Sequence, residues 1–110
     1  MVQTITAHEL ADLISQGELD VVDVRDQDEW DLGHIATSRS VPLETLRADP
    51  EVFLARGSTI VFVCAKGVRS LAAAKLADRF GYENVFTLDG GIKEWARVGM
   101  AVTVADRVAA

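Results

Sequence analysis

Four consecutive residues constrain this chain more than any others. Ile60-Val61-Phe62-Val63 is an unbroken β-branched and aromatic run without a polar position. A strand with one wet face would alternate; this run reads as a strand buried on both faces, inside a sheet covered on both sides. The flanking sequence offers that cover. Thr6-Ala7-His8-Glu9 has the capping-box pattern of a helix start, Ala7, Leu10, Ala11 and Ile14 follow at helical spacing, and Gly17 offers a stop. Leu19 to Val24 and Val85 to Leu88 read as further strands, with shorter ones at Val2 to Ile5 and Ser40 to Val41. Ser70 to Phe80 is an Ala-rich helix ended by Gly81, and Asp89-Gly90-Gly91 turns into a last helix carrying Ile92, Trp95 and Ala96, stopped at Gly99. Strands alternating with helices imply an α/β fold, with a mostly parallel central sheet and helices on both faces.

At 110 residues the chain fits one domain, with a core expected over about 4–102 and a tail over 103–110, of which Asp106 to Ala110 is weakly patterned. A lone cysteine, Cys64, excludes an internal disulfide and a multi-cysteine zinc site; no metal or cofactor is expected. The longest apolar run, Ile60 to Ala65, is far short of the roughly 20 residues that span a bilayer, and the N-terminus lacks signal-peptide character. No membrane association and a cytoplasmic location are expected. The net charge of −6 argues against nucleic acid as a partner.

The charge is unevenly placed. Seven acids lie between Glu18 and Asp31 with only Arg25 opposing them, so this stretch alone carries −6. It reads as a solvated face, with docking of a basic partner as the alternative. From Cys64 to Arg79 the sign reverses, with Lys66, Arg69, Lys75 and Arg79 against Asp78 alone. Lys75 and Arg79 read as helix-surface charges.

The chemistry is expected where the most buried strand ends, because ligands of open parallel sheets bind beyond the C-terminal strand ends. There Cys64-Ala65-Lys66-Gly67-Val68-Arg69 leads into a helix expected at Ser70. Helix amides and nearby cations lower a thiol's pKa toward the reactive thiolate. Gly67 lets the loop turn successive N–H groups onto an anion, and Lys66 and Arg69 supply charge for an anionic substrate. The bland alternative is an inert, buried cysteine.

Three segments then resemble the rhodanese sulfurtransferases. Asp23-Val24-Arg25 through Glu29, Gly33-His34-Ile35 and Val41-Pro42-Leu43 are similar to the family's D-V-R…E…G-H-I…I-P pattern. The C-A-K-G-V-R-S loop is the second match, and Leu88-Asp89-Gly90-Gly91 with Trp95 is the third. The resemblance covers roughly Thr4 to Val102 and implies a single rhodanese-like domain. It departs from the family at Thr37-Ser38, where Gly-Ala is frequent, so that loop is expected to differ in shape.

The resemblance implies that Cys64 takes the outer sulfur of a small anionic donor such as thiosulfate and carries it as a persulfide. A thiol or a sulfur-carrier protein would then accept it. The amides from Ala65 to Arg69 would stabilise the persulfide, and Arg69, with Lys66, would hold the sulfonate end. Asp23 and Arg25 would orient the loop or simply pair with each other. His34 would position a loop, Trp30 and Trp95 would pack, and His8 would be solvated.

Two other readings compete. Cysteine phosphatases and arsenate reductases resemble a C-x5-R pattern, whereas Arg69 follows Cys64 with four residues between, and the five-residue position is Ser70. A non-catalytic rhodanese-like binding module is the other, although Cys64, Gly67 and Arg69 are all present. A redox sensor would need a resolving cysteine that the chain lacks.

Overall fold

The structure, a computed structural model, describes residues 1–105. In chain order the elements are β1 (Gln3–Ile5), α1 (Ala7–Gln16), β2 (Asp20–Asp23), α2 (Gln27–Leu32), β3 (Arg39–Ser40) and α3 (Leu43–Ala48). They continue with α4 (Pro50–Phe53), β4 (Ile60–Val63), α5 (Val68–Arg79), β5 (Val85–Leu88) and α6 (Gly91–Arg97). The five strands form one sheet in the order β1-β5-β4-β2-β3, and every pairing is parallel. The expected α/β class therefore holds.

β4 sits at the centre, and the side-chain period of two splits its residues between two cores. Ile60 and Phe62 pack with Val22, Leu46, Ala73, Ala77 and Val85 beneath α3 and α5. Val61 and Val63 pack with Ile5, Leu10, Val21, Leu88 and Trp95 beneath α1 and α6. All four β4 residues are fully buried, as an unbroken apolar run requires.

The caps explain several boundaries. The Glu9 amide donates to Thr6 Oγ1 at 3.1 Å and the Thr6 amide donates to Glu9 Oε1 at 2.9 Å, closing the box that starts α1. α5 begins two residues before the expected Ser70, because Gly67 at φ 107° turns the chain directly into the helix. β3 is Arg39–Ser40 rather than Ser40–Val41, paired to Val22 and Asp23.

The acidic stretch is not one solvated face. Asp20 receives a two-bond fork from Arg39, each bond 2.9 Å, which clamps β2 to β3. Asp23 is fully buried and binds Arg25 at 2.8 Å, and Arg25 Nη2 also donates to the Gly33 carbonyl at 2.7 Å. Four of the acids lie in or beside α2, a short helix whose start carries a capping box between Asp26 and Glu29.

Among the described residues no helix is long and apolar enough to cross a membrane. The chain beyond 102 is held at its start: Thr103 and His34 exchange backbone bonds of 2.8 Å, and the Ala105 amide donates to the Asp31 carbonyl at 2.9 Å. The tail reading of Asp106 to Ala110 lies outside the described residues.

Gly91 locks the two halves of the sheet's C-terminal edge together. A Cβ there would stand 2.4 Å from the Cys64 carbonyl oxygen and 2.5 Å from that of Ala65, at a φ of 62°. Both the clash with backbone and the left-handed φ oppose any side chain. Gly91→Ala is expected to destabilise the protein by about 2–4 kcal/mol. A lower denaturant midpoint at unchanged slope in equilibrium unfolding checks this.

Candidate active site

The site is built where β4 gives way to α5. Cys64 follows the last β4 residue, its side chain is only 1% exposed, and its carbonyl accepts from the Ile92 amide at 2.8 Å. The next carbonyl, Ala65, accepts from the Lys93 amide at 3.1 Å. In a trans peptide the following N–H points opposite to the carbonyl. Drawing the Ala65 carbonyl toward α6 therefore turns the Lys66 N–H back toward the sulfur.

Several donors converge on Cys64 Sγ. The Gly67 amide reaches it at 3.0 Å, and the Ser70 hydroxyl lies 3.4 Å away. Burial pushes the thiol's pKa up, but the Ser70 hydroxyl and the amides of Ser70, Gly67 and Lys66 outweigh it, so the thiol is held below its ordinary value. Of the loop amides from Ala65 to Arg69, those of Lys66 and Gly67 act on the sulfur.

Ser70 leads to a further hydroxyl. Its Oγ lies 2.8 Å from Thr87 Oγ1 on β5, and both residues are buried. With the thiol protonated, S–H donates to Ser70. Once sulfur is ionised, the Ser70 proton turns toward it and Thr87 becomes the donor to Ser70. The pair adapts to both charge states without leaving a buried polar atom unpaired. The sequence pattern alone assigns neither residue this role. Ser70 was legible as a hydroxyl in the first turn of α5; Thr87 was not, because only the β4–β5 pairing brings it near.

The charged candidates are placed differently from expectation. Arg69 does not stand alone for a donor: its Nη1 donates to Glu29 Oε1 at 2.7 Å and its Nη2 to Oε2 at 3.1 Å. The hydrogen bonds from Arg69 lower the Glu29 pKa to about 2 against the effect of partial burial. The Arg69 guanidinium is held above its ordinary range by the same carboxylate. Lys66 and Val68 are exposed, and an open pocket of about 220 Å³ is lined by Cys64, Ala65, Lys66, Val68 and Arg69.

Asp23 and Arg25 bind each other, and Arg25 ties down the end of α2 through Gly33. They support α2, which carries Glu29. His34 stacks on Trp30 with ring centroids 3.6 Å apart, and the Trp30 indole N–H donates to Ser38 Oγ at 3.0 Å. The Ser at the departing Thr37-Ser38 position thus gives a half-buried indole its acceptor. Trp95 is buried with the second core, and His8 is exposed. Among the described residues no group of His, Cys, Asp and Glu forms a metal site.

Comparison with known proteins agrees with this geometry. The family model described as "Rhodanese-like domain" matches residues 6–98. A probable adenylyltransferase/sulfurtransferase MoeZ of Mycobacterium tuberculosis is 35% identical over 96 residues, which cover 86% of this chain and 24% of that protein. The chain thus spans about a quarter of the length of that relative. A thiosulfate sulfurtransferase GlpE of Pseudomonas paraeruginosa is 33% identical, with 88% of this chain and 87% of that protein covered. The crystal structure of a rhodanese-related protein from Thermoplasma volcanium superimposes with a TM-score of 0.85 at 32% identity, covering 94% of this chain and 99% of that one.

The donor set makes the Cys64 titration testable. Removing a donor to an anion raises its pKa, so Ser70→Ala should move the pH midpoint of Cys64 alkylation upward by about one pH unit. Thr87→Val should move it in the same direction by less. An iodoacetamide rate–pH profile measures both.

Proposed function

The chain belongs to the rhodanese-like domain family, and from that premise we propose that it is a sulfurtransferase working through a persulfide on Cys64. The observation that carries this reading is the thiol itself, buried at a strand end, facing the Gly67 amide at 3.0 Å and held below its ordinary pKa.

The first half-reaction is a displacement at sulfur. The Cys64 thiolate attacks the outer sulfur of thiosulfate, the new S–S bond forms, the old one breaks, and sulfite leaves with the bonding pair. Two negative charges leave as sulfite and one stays on the persulfide, so charge balances. The terminal persulfide sulfur lies about 2 Å beyond Sγ, toward the pocket mouth, where amides of the Ala65–Arg69 loop offset its charge. In the second half-reaction an acceptor nucleophile takes the terminal sulfur and restores the thiolate. Small thiols and sulfur-carrier proteins have the right chemistry. Two steps sharing one covalent intermediate give ping-pong kinetics. None of this requires a metal or an organic cofactor, and it suits the cytoplasm, where thiols stay reduced.

Intact mass spectrometry tests the reading. After incubation with thiosulfate and desalting, the protein is expected to gain one sulfur atom. Cyanide should remove that sulfur, and Cys64→Ser should never acquire it. A folded, reduced wild-type protein that gains no sulfur from thiosulfate or any other sulfane donor would shift the function to partner binding.

A further inference from the structure

The mouth of the site carries a clamp that the persulfide chemistry does not use. Arg69, in the first turn of α5, is gripped through two nitrogens by the carboxylate of Glu29, forty residues earlier. Both side chains are 36% exposed, and Arg69 lines the open pocket beside Cys64. Glu29 is itself fixed, because its Oε1 accepts from the Asp26 amide at 3.1 Å. The α2 helix that bears it is anchored through Gly33 to the buried Asp23–Arg25 pair. With a pKa of about 2, the carboxylate stays ionised throughout the neutral range.

Charge counting shows what the clamp does to a donor. Arg69 is the loop's guanidinium, suited to a sulfonate, yet Glu29 cancels its charge and occupies two of its five N–H groups. Lys66 is exposed at the rim, and the charge of Asp26 also acts on Arg69. A dianion approaching a cysteine thiolate therefore meets no net positive charge.

Building on the sulfurtransferase reading, we propose that Glu29 sets the charge selectivity for donors: by neutralising Arg69 it disfavours doubly charged sulfur donors relative to singly charged ones. Glu29 acts through Arg69 and not on the reacting atoms, so it is a specificity-determining residue. The comparison donors are thiosulfate, a dianion, and methanethiosulfonate, a monoanion. Each gives its outer sulfur to the Cys64 thiolate and leaves with the electrons of its broken S–S bond, as sulfite and methanesulfinate respectively.

The test uses the full chain and Glu29→Gln. Glutamine keeps an acceptor for the Asp26 amide, as capping boxes tolerate, and removes the charge together with one acceptor of the Arg69 fork, a loosening for which Glu29→Asp is the control. Coulomb energy is proportional to donor charge, so the gain for the dianion should be the square of the gain for the monoanion. The second-order rate of persulfide formation is expected to rise about fourfold with thiosulfate and about twofold with methanethiosulfonate, both gains shrinking as salt is added. Glu29→Asp keeps the charge while loosening the fork and should retain the wild-type ratio. Equal changes for the two donors, or a loss with thiosulfate, would overturn the proposal and leave Glu29 as a support for Arg69. A readout independent of turnover separates this from failure of the parent reading. The ratio of Cys64 alkylation rates by iodoacetate and iodoacetamide should rise about twofold in Glu29→Gln; an unchanged ratio overturns the charge gate even if no donor transfers sulfur. Absence of persulfide from both donors, with that ratio raised, overturns the sulfurtransferase reading instead.

Discussion

Two backbone hydrogen bonds govern the geometry of this site. The amides of Ile92 and Lys93 hold the carbonyls of Cys64 and Ala65, and a trans peptide leaves no freedom in where the following N–H groups then point. Of these, the Lys66 N–H acts on the sulfur. This contact needs α6 to begin within touching distance of the loop backbone, and Gly91 permits it by having no Cβ to collide with either carbonyl. The Gly-Gly turn after β5 is therefore part of the thiol's environment, although its residues never touch the sulfur.

The legible part of the fold is what hydrophobic periodicity and local caps dictate. β4 and β5 lie where the residue pattern places them, and α1 runs between Thr6 and Gly17 as its capping box requires. The unread part consists of α2, α3 and α4, each six residues or shorter. Helices this short carry too few turns for an apolar stripe, and tertiary partners decide them. In α2 no residue is buried; the helix persists because Glu29 caps it and Arg25 grips its end at Gly33. The same principle divides the site. Cys64 and the turn at Gly67 are local features and were readable, whereas Thr87 and the Glu29–Arg69 fork exist only once distant segments have met.

The acids between Glu18 and Asp31 illustrate how composition misleads when charge is counted along the chain. Asp20 ties two strands, Asp23 is buried against Arg25, and Glu29 grips Arg69. The buried pair is a specificity device more than a source of stability, since two ions taken from water regain little net energy from each other. Its value lies in direction: the Arg25 fork onto Asp23 leaves Nη2 aimed at Gly33, which fixes where α2 ends and hence where Glu29 stands. The stack of His34 on Trp30, with Ser38 accepting the indole proton, fixes the other side of the same helix.

Reactivity and capture are thus assigned to different physical forces. The thiol is lowered chiefly by neutral donors, the hydroxyl of Ser70 and the loop amides, which act at about 3 Å in a buried place that salt screens little. Arg69, whose charge is coupled to the sulfur, is itself paired with Glu29. Charge at the rim is part-exposed and readily screened, so on the proposed reading it acts chiefly on the approach of a donor. An acidic protein can in this way hold a reactive thiolate without surrounding it with positive charge. On the proposed reading, exchanging Glu29 at the rim alters which anions enter while leaving the sulfur chemistry in place.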